Sequence, residues 1–160
     1  MHRHVPLILA LGVLMDAAPG PGLAANWTPL ASLSEPRDGA AAATLGGRVY
    51  VLGGRGAGDL ATVAVWDPGA GAWRSVAAMS QARYQPGAAS LGGYVYALGG
   101  LDEFQFPMAN VERLDPVSNT WSSVSGMPVS RAGMAVGVAG GSIIVAGGMT
   151  DDGMLQTECF

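Results

Sequence analysis

The chain has no lysine: all eight of its cations are arginine. It has one cysteine, Cys159, and two histidines, His2 and His4, both at the N-terminus. Each scarcity excludes something. One cysteine cannot form an internal disulfide framework or a cysteine-rich metal site. Without a histidine beyond residue 4, a Ser-His-Asp or Cys-His arrangement cannot be built in the body of the chain. Charged residues make up only 12%, too few to wet the outer faces of a helical bundle. With a net charge of −4 and no basic stripe, nothing is available to release phosphate counterions, so nucleic acid is not an expected partner. The hydrophobic fraction of 49% is too high for a disordered chain of such modest net charge. What is abundant is glycine, 25 residues in 160, together with 10 prolines. That balance fits an all-β protein with many tight turns.

The first 25 residues read as a leader. Met1-His2-Arg3-His4 is a short positive start, and Val5 to Met15 is an apolar run of eleven residues. A spanning helix needs about 20 residues, so no membrane span is expected. Asp16 ends the run, and small residues offer cleavage after Ala24 or Ala25, the anatomy of a secretory signal peptide. With such a leader the protein is secreted or periplasmic; without it, cytoplasmic. His2 and His4 form a His-x-His pair, but within a segment expected to be removed. Asn26-Trp27-Thr28 is a glycosylation sequon that abuts the cut and precedes Pro29, which disfavours its use.

A repeat of 46 to 48 residues governs the rest. Apolar runs close on Gly53-Gly54, Gly99-Gly100 and Gly147-Gly148. Trp27, Trp73 and Trp121 keep the same spacing, as do Arg37, Arg83 and Arg131. A second glycine pair recurs upstream at Gly46-Gly47, Gly92-Gly93 and Gly140-Gly141, placed to supply the positive φ of a hairpin turn. Each unit reads as four short strands. In the first these are Gly39 to Leu45, Val49 to Leu52, Thr62 to Trp66 and Trp73 to Val76. In the second they are Gly87 to Leu91, Tyr94 to Leu98, Asn110 to Leu114 and Trp121 to Val124. The third has Gly133 to Val138, Ser142 to Ala146 and a strand from Leu155 onward. A two-residue insertion lies between Gly100 and Val111.

This pattern resembles the Kelch repeat: an apolar run closed by Gly-Gly, then an aromatic residue, then a tryptophan. Here these are YVLGG with Trp66 and Trp73, and YALGG with Trp121, with Leu114 in place of the usual aromatic residue. The resemblance implies a β-propeller in which each repeat is one four-stranded antiparallel blade. The expected organisation is a leader over 1–25 and repeats over 26–76, 77–124 and 125–160, the last incomplete. About three blades form an open arc, as a fragment of a six-bladed or similar propeller would. Cys159-Phe160 is aligned with Arg113-Leu114, inside the third strand of the third unit. Repeat proteins bury each unit against its neighbours, so an arc exposes two faces and unpaired strand edges. The expectation is either a truncated sequence or self-association to complete the ring.

The sequence offers little for catalysis, and no catalytic, metal or cofactor site is expected. GGRGAGD over 53–59 lacks the Gly-Lys-Ser/Thr end of a phosphate loop and reads as a loop between blade strands. Glu35 is the best of the isolated acids but has no clear partner. Cys159 reads as a small buried residue of a third strand. Arg37, Arg83 and Arg131 are read as structural, bonding carbonyls or the acidic turns Asp67 and Asp115; the alternative is a ring of cations for an acidic ligand. Trp73 and Trp121 are read as core anchors.

The loops between second and third strands differ from unit to unit, and variable loops on a rigid scaffold carry specificity. They hold Arg55 and Asp59, then Asp102, Glu103, Phe104, Gln105 and Phe106, then Asp151 and Asp152. Phe104 and Phe106 are candidate partner anchors within an acidic rim, against the alternative that they pack on the next blade. Tyr84 and Gln85 break the small-residue pattern of Asp38-Gly39 and Ala132-Gly133, and are further candidates. The resemblance implies a non-catalytic module that holds a protein partner through these loops. Two alternatives stand beside it: a fragment of a sugar-active propeller, since some secreted Kelch proteins are mutarotases or copper oxidases, and a gene product without independent function. The family's ubiquitin-ligase adaptors carry separate oligomerisation domains, and that role is not expected of these repeats.

Overall fold

The computed structural model describes residues 13–16 and 26–160, with side chains from residue 28 onward. Of the expected leader only β1 (Val13–Asp16) is described, paired antiparallel with β2 (Asn26–Pro29). The remainder of the leader, His2 and His4 included, lies outside the described residues. The first blade is an antiparallel meander of β3 (Ala41–Leu45), β4 (Arg48–Leu52), β5 (Val63–Asp67) and β6 (Ala72–Val76). The second repeats it with β7 (Gly87–Leu91), β8 (Tyr94–Leu98), β9 (Val111–Asp115) and β10 (Thr120–Val124). The third contributes β11 (Ala135–Ala139) and β12 (Ser142–Ala146). The three sheets form an open arc of propeller blades.

Chain reversal between the first two strands of a blade is imposed by glycine. Gly46 and Gly47 have φ of 58° and 73°, and β3 returns on β4 with Leu45 opposite Arg48. Added Cβ atoms at these glycines would meet nothing, so backbone conformation and not space demands them. The glycines that close β4 and β8 answer to a different constraint. A Cβ on Gly53 would stand 2.6 Å from the Arg83 carbonyl oxygen, and one on Gly99 would stand 2.3 Å from that of Arg131. The backbone of the following blade passes directly over them.

In the third unit the expected third strand is reduced to bridges, Met149 with Leu155 and Ala146 with Cys159. Val145 and Phe160 exchange two backbone hydrogen bonds of 2.9 Å each. Since Leu98 pairs Val111 in the second blade, Cys159 stands where Val111 stands, and not where Arg113 does. The longer loop is therefore shared by the second and third units. Cys159 is exposed, correcting its reading as a buried residue. Val111 is covered by Met134 and Val145 of the next blade, whereas no described residue covers Cys159 in that way.

Blades meet through apolar faces. Tyr50, Leu52, Val63 and Val65 of the first blade pack against Val95, Ala97 and Leu114 of the second. Leu114, which replaces an aromatic residue, is 0% exposed and fills this layer. Leu98 and Val111 then meet Met134 and Val145 of the third blade. The indoles of Trp73 and Trp121 are half-buried on the outer strands, where each Nε1 donates across 2.8 Å to a linker carbonyl, Ala31 and Ala77.

The recurring arginine couples one blade to the next. Arg83 lies between them: its carbonyl accepts from Gly54 N at 2.8 Å and its amide donates to Leu60 O at 3.1 Å, both in the first blade. Its guanidinium turns into the second blade. There Nη1 donates to the carbonyls of Gly99 (2.8 Å) and Asn110 (3.1 Å), and Nη2 to Glu112 Oε1 at 2.6 Å. Arg131 repeats the pattern with Gly100 and Met108 behind it, Gly147 O and Glu158 O ahead. Arg37 bonds Gly53 O, Thr62 O and Glu35. Arg83 and Arg131 are 0% exposed, so they are not a ring of cations open to a ligand. Nor do they reach the acidic turns: Asp67 pairs with Arg48, and Asp115 accepts from the Val117 amide.

Burial alone would raise the Glu112 carboxyl. The Arg83 hydrogen bond and donors from Ser80 outweigh it and hold the group below its ordinary 4.5. Arg83→Ala leaves Glu112 buried without its cation and is expected to cost about 3–5 kcal/mol, read as a shift in the urea unfolding curve. The acid side follows from the same pair. A carboxyl whose value is lowered on folding contributes stability present above pH 4.5, which is lost as pH falls below it. Glu112→Gln is expected to flatten the loss of stability between neutral pH and pH 4 or below in melts at stepped pH.

Candidate functional site

One end of the arc collects the loops between second and third strands, 53–62, 99–110 and 147–158, and the segments that enter each blade. Bridges hold these together in a repeated way: Asp38 with Arg55, Tyr84 with Leu101, Ala132 with Met149. Just inside, Gln85 N donates to Gly39 O at 2.9 Å, and Gly133 N to Gln85 O at 3.0 Å. All three residues of this inner chain have positive φ, 56°, 52° and 66°. Glycine adopts that conformation freely; Gln85 does not, and its placement there costs about 1 kcal/mol. The Gln85 side chain is held where the glycines of the neighbouring blades have none.

Tyr84 reaches back over the first blade. Its ring fills the space a side chain on Gly39 would need, since a Cβ there would stand 2.4 Å from the ring. Its hydroxyl donates to Asp38 Oδ2 at 3.0 Å, and the Arg55 guanidinium lies 3.9 Å from the ring centroid. That stacking is a cation–π contact. Arg55 also donates from Nε to Asp59 Oδ1 at 2.5 Å and from Nη2 to Gln105 Oε1 at 2.6 Å. Gln105 closes the triangle by donating from Nε2 to Asp59 Oδ2 at 3.1 Å. The hydrogen bond to Asp59 raises Arg55 above its ordinary value.

The second loop is folded by its own first acid. Asp102 Oδ1 accepts from the amides of Phe104 and Phe106, each at 2.9 Å, and Gln105 takes φ of 67° at the tip. The turn directs both phenyl rings outward, to 71% and 61% exposure. Of the two readings of Phe104 and Phe106, packing on the next blade does not occur. Glu103 and Gln105 of the same loop help to line a groove of about 510 Å³, with Arg55, Gly58, Asp59 and Ala82; neither ring enters its wall. It continues into a second hollow of about 220 Å³ lined by Ser80, Gln81, Ala82, Asp102 and Glu103.

Arg55, Asp59, Tyr84, Asp102 and Glu103 therefore come together, and Gln85 adjoins them. Asp151 and Asp152 belong to the third loop and do not enter this network. Asp152 is a turn former, accepting from Thr150 Oγ1 and from the Met154 amide, and both bonds hold it below the usual carboxylate range. Asp38, Gln81 and Ala82 had no signal of their own in the sequence. Gln105 was visible in its loop, but nothing marked it as the residue that ties the loops of two blades. Glu35 is engaged by Arg37 and Thr62 and offers no free acid–base pair. Among the described residues no three His, Cys, Asp or Glu side chains gather as metal ligands.

A family model described as the Kelch motif matches the chain twice, over residues 36–80 and 82–128. No curated protein matches it in sequence. Among solved structures, that of YjhT is similar with a TM-score of 0.80 at 20% identity, over 91% of this chain and 53% of that one. The chain thus spans about half the length of that structure, and the likeness is one of fold.

Gln105→Ala removes the tie between the two loops. The amides of residues 102–106 are expected to exchange with deuterium up to about tenfold faster, the equivalent of one net hydrogen bond, while those of β7 to β9 keep their protection.

Proposed function

The chain belongs to the Kelch-motif family, and on that premise we propose that it is a non-catalytic module that binds a protein partner through the loop end of its blades. The observation that carries this reading is the outward pair Phe104 and Phe106, held by the Asp102 turn beside the groove. Isolated apolar side chains on a surface are ordinary, but two aromatic rings ordered at one loop tip are the kind of anchor that dominates binding energy. The scaffold supports it. The loop is tied by Gln105 to the neighbouring blade, so little entropy is lost when a partner closes on it.

A binding role also follows from what the groove's ionisable groups do. Arg55 is engaged by Asp59 and Gln105, and Asp102 by two amides. Glu103 is the group of the groove left free, and no second free group stands beside it to form an acid–base pair.

Selection of displayed peptides on the full chain tests the reading. Recovered peptides are expected to lose at least tenfold in affinity for a Phe104→Ser/Phe106→Ser variant whose circular dichroism is unchanged. Peptides that bind both forms equally, or none recovered at all, would overturn it.

A further inference from the structure

The charges of this protein are sorted along the axis of the arc. At the loop end, with the paired Arg37, Arg83 and Arg131 and their glutamates set aside, stand Asp38, Asp59, Asp102, Glu103, Asp151 and Asp152 against one cation, Arg55: six minus one leaves −5. The whole chain carries −4, so this end holds more than the entire excess. The rest of the chain sums to +1, and most of its charges are paired. Arg37, Arg83 and Arg131 each face a glutamate, Glu35, Glu112 and Glu158. At the opposite end Arg48 pairs with Asp67, and Arg113, stacked over Tyr94, accompanies Asp115.

The cation of the loop end is largely committed within the protein. Its Nε and Nη2 are engaged by Asp59 and Gln105, and its face lies on Tyr84. An acidic partner would meet a net charge of −5, opposed by Nη1 of Arg55 alone. A cationic one finds complementary charge, and two exposed phenyl rings as well. Guanidinium and ammonium groups stack on aromatic faces, and their aliphatic stems bury against them. The groove of about 510 Å³, whose wall holds Asp59 and Glu103 against the already engaged Arg55, has room for such a side chain.

We propose that the occupant of this groove is an arginine- or lysine-rich segment of a partner protein, held by the carboxylates of the loop end and stacked on Phe104 and Phe106. The proposal rests on reading this end as the binding face and adds the chemistry of what binds there. Charge complementarity of this kind raises association rates and selects against acidic competitors.

Fluorescence anisotropy on the full chain tests it, with labelled poly-arginine, poly-glutamate and glycine–serine peptides as probes. Only the arginine peptide is expected to bind, with an affinity that falls steeply as salt is raised. Glu103→Gln/Asp151→Asn, two exposed acids of which Asp151 makes one long bond of 3.5 Å from Ser130 Oγ, is expected to weaken it about fivefold or more. Phe104→Ser/Phe106→Ser is expected to weaken it further, and Asp67→Asn at the opposite end to leave it within about twofold. Binding of the glutamate peptide, no binding of the arginine peptide, or equal losses in the Glu103/Asp151 and Asp67 variants would overturn the proposal. If selected peptides need the phenylalanine pair yet carry no excess of basic residues, the proposal falls and the binding-face reading stands. If no peptide needs that pair, both fall.

Discussion

An arginine shared between two blades is the constraint on which the rest of the arc depends. Its backbone completes the loop of one blade and its guanidinium completes the strand ends of the next, as Arg83 does between Gly54 and Gly99. Burying a cation is costly unless its donors are engaged, and the carbonyls of Gly99 and Asn110 with the Glu112 carboxylate do this. One donor is left over: the Nε atoms of Arg37, Arg83 and Arg131 are all buried without a partner. That deficit recurs in every unit. It is the recurrent cost of a joint that sets where blades meet, and apolar faces alone would not fix that register.

From this joint the glycine pattern follows. Gly53 and Gly99 lack side chains because the arginine carbonyl of the next blade occupies that space. Much of the fold was legible in the sequence for this reason. The arginines and the glycine pairs that close β4 and β8 mark this joint, the tryptophans and the other glycine pairs mark outer strands and hairpin turns at the same spacing of 46 to 48, and strand bounds read from them fall within two residues of the observed ones. The end of the third unit was not legible. A two-residue difference in loop length has no marker until bridges fix the register, so Cys159 was aligned with Arg113 and stands at the place of Val111. Its burial was misjudged for a separate reason: Met134 and Val145 cover Val111, and no described residue covers Cys159 in that way.

The loop end divides differently. Arg55, Asp59, Tyr84 and the phenylalanines were visible as departures from the repeat. Their arrangement was not, because it depends on contacts between residues some fifty positions apart, such as Arg55 with Gln105. Asp102 shows the limit most plainly. Its sequence context suggests an acidic rim, whereas its carboxylate works on two amides and shapes the loop. The repeated residues build the joint and the unrepeated ones build the groove.

Each unit presents a socket for the unit after it in its glycine pair, and a plug for the unit before it in its arginine. The backbone plug and socket are the same at both described junctions, Arg83 on Gly54 and Arg131 on Gly100, while the apolar faces beside them differ. A duplicated segment of one repeat length therefore brings a ready-made backbone joint and has only its apolar face to refit, while its loop is a new copy to diversify.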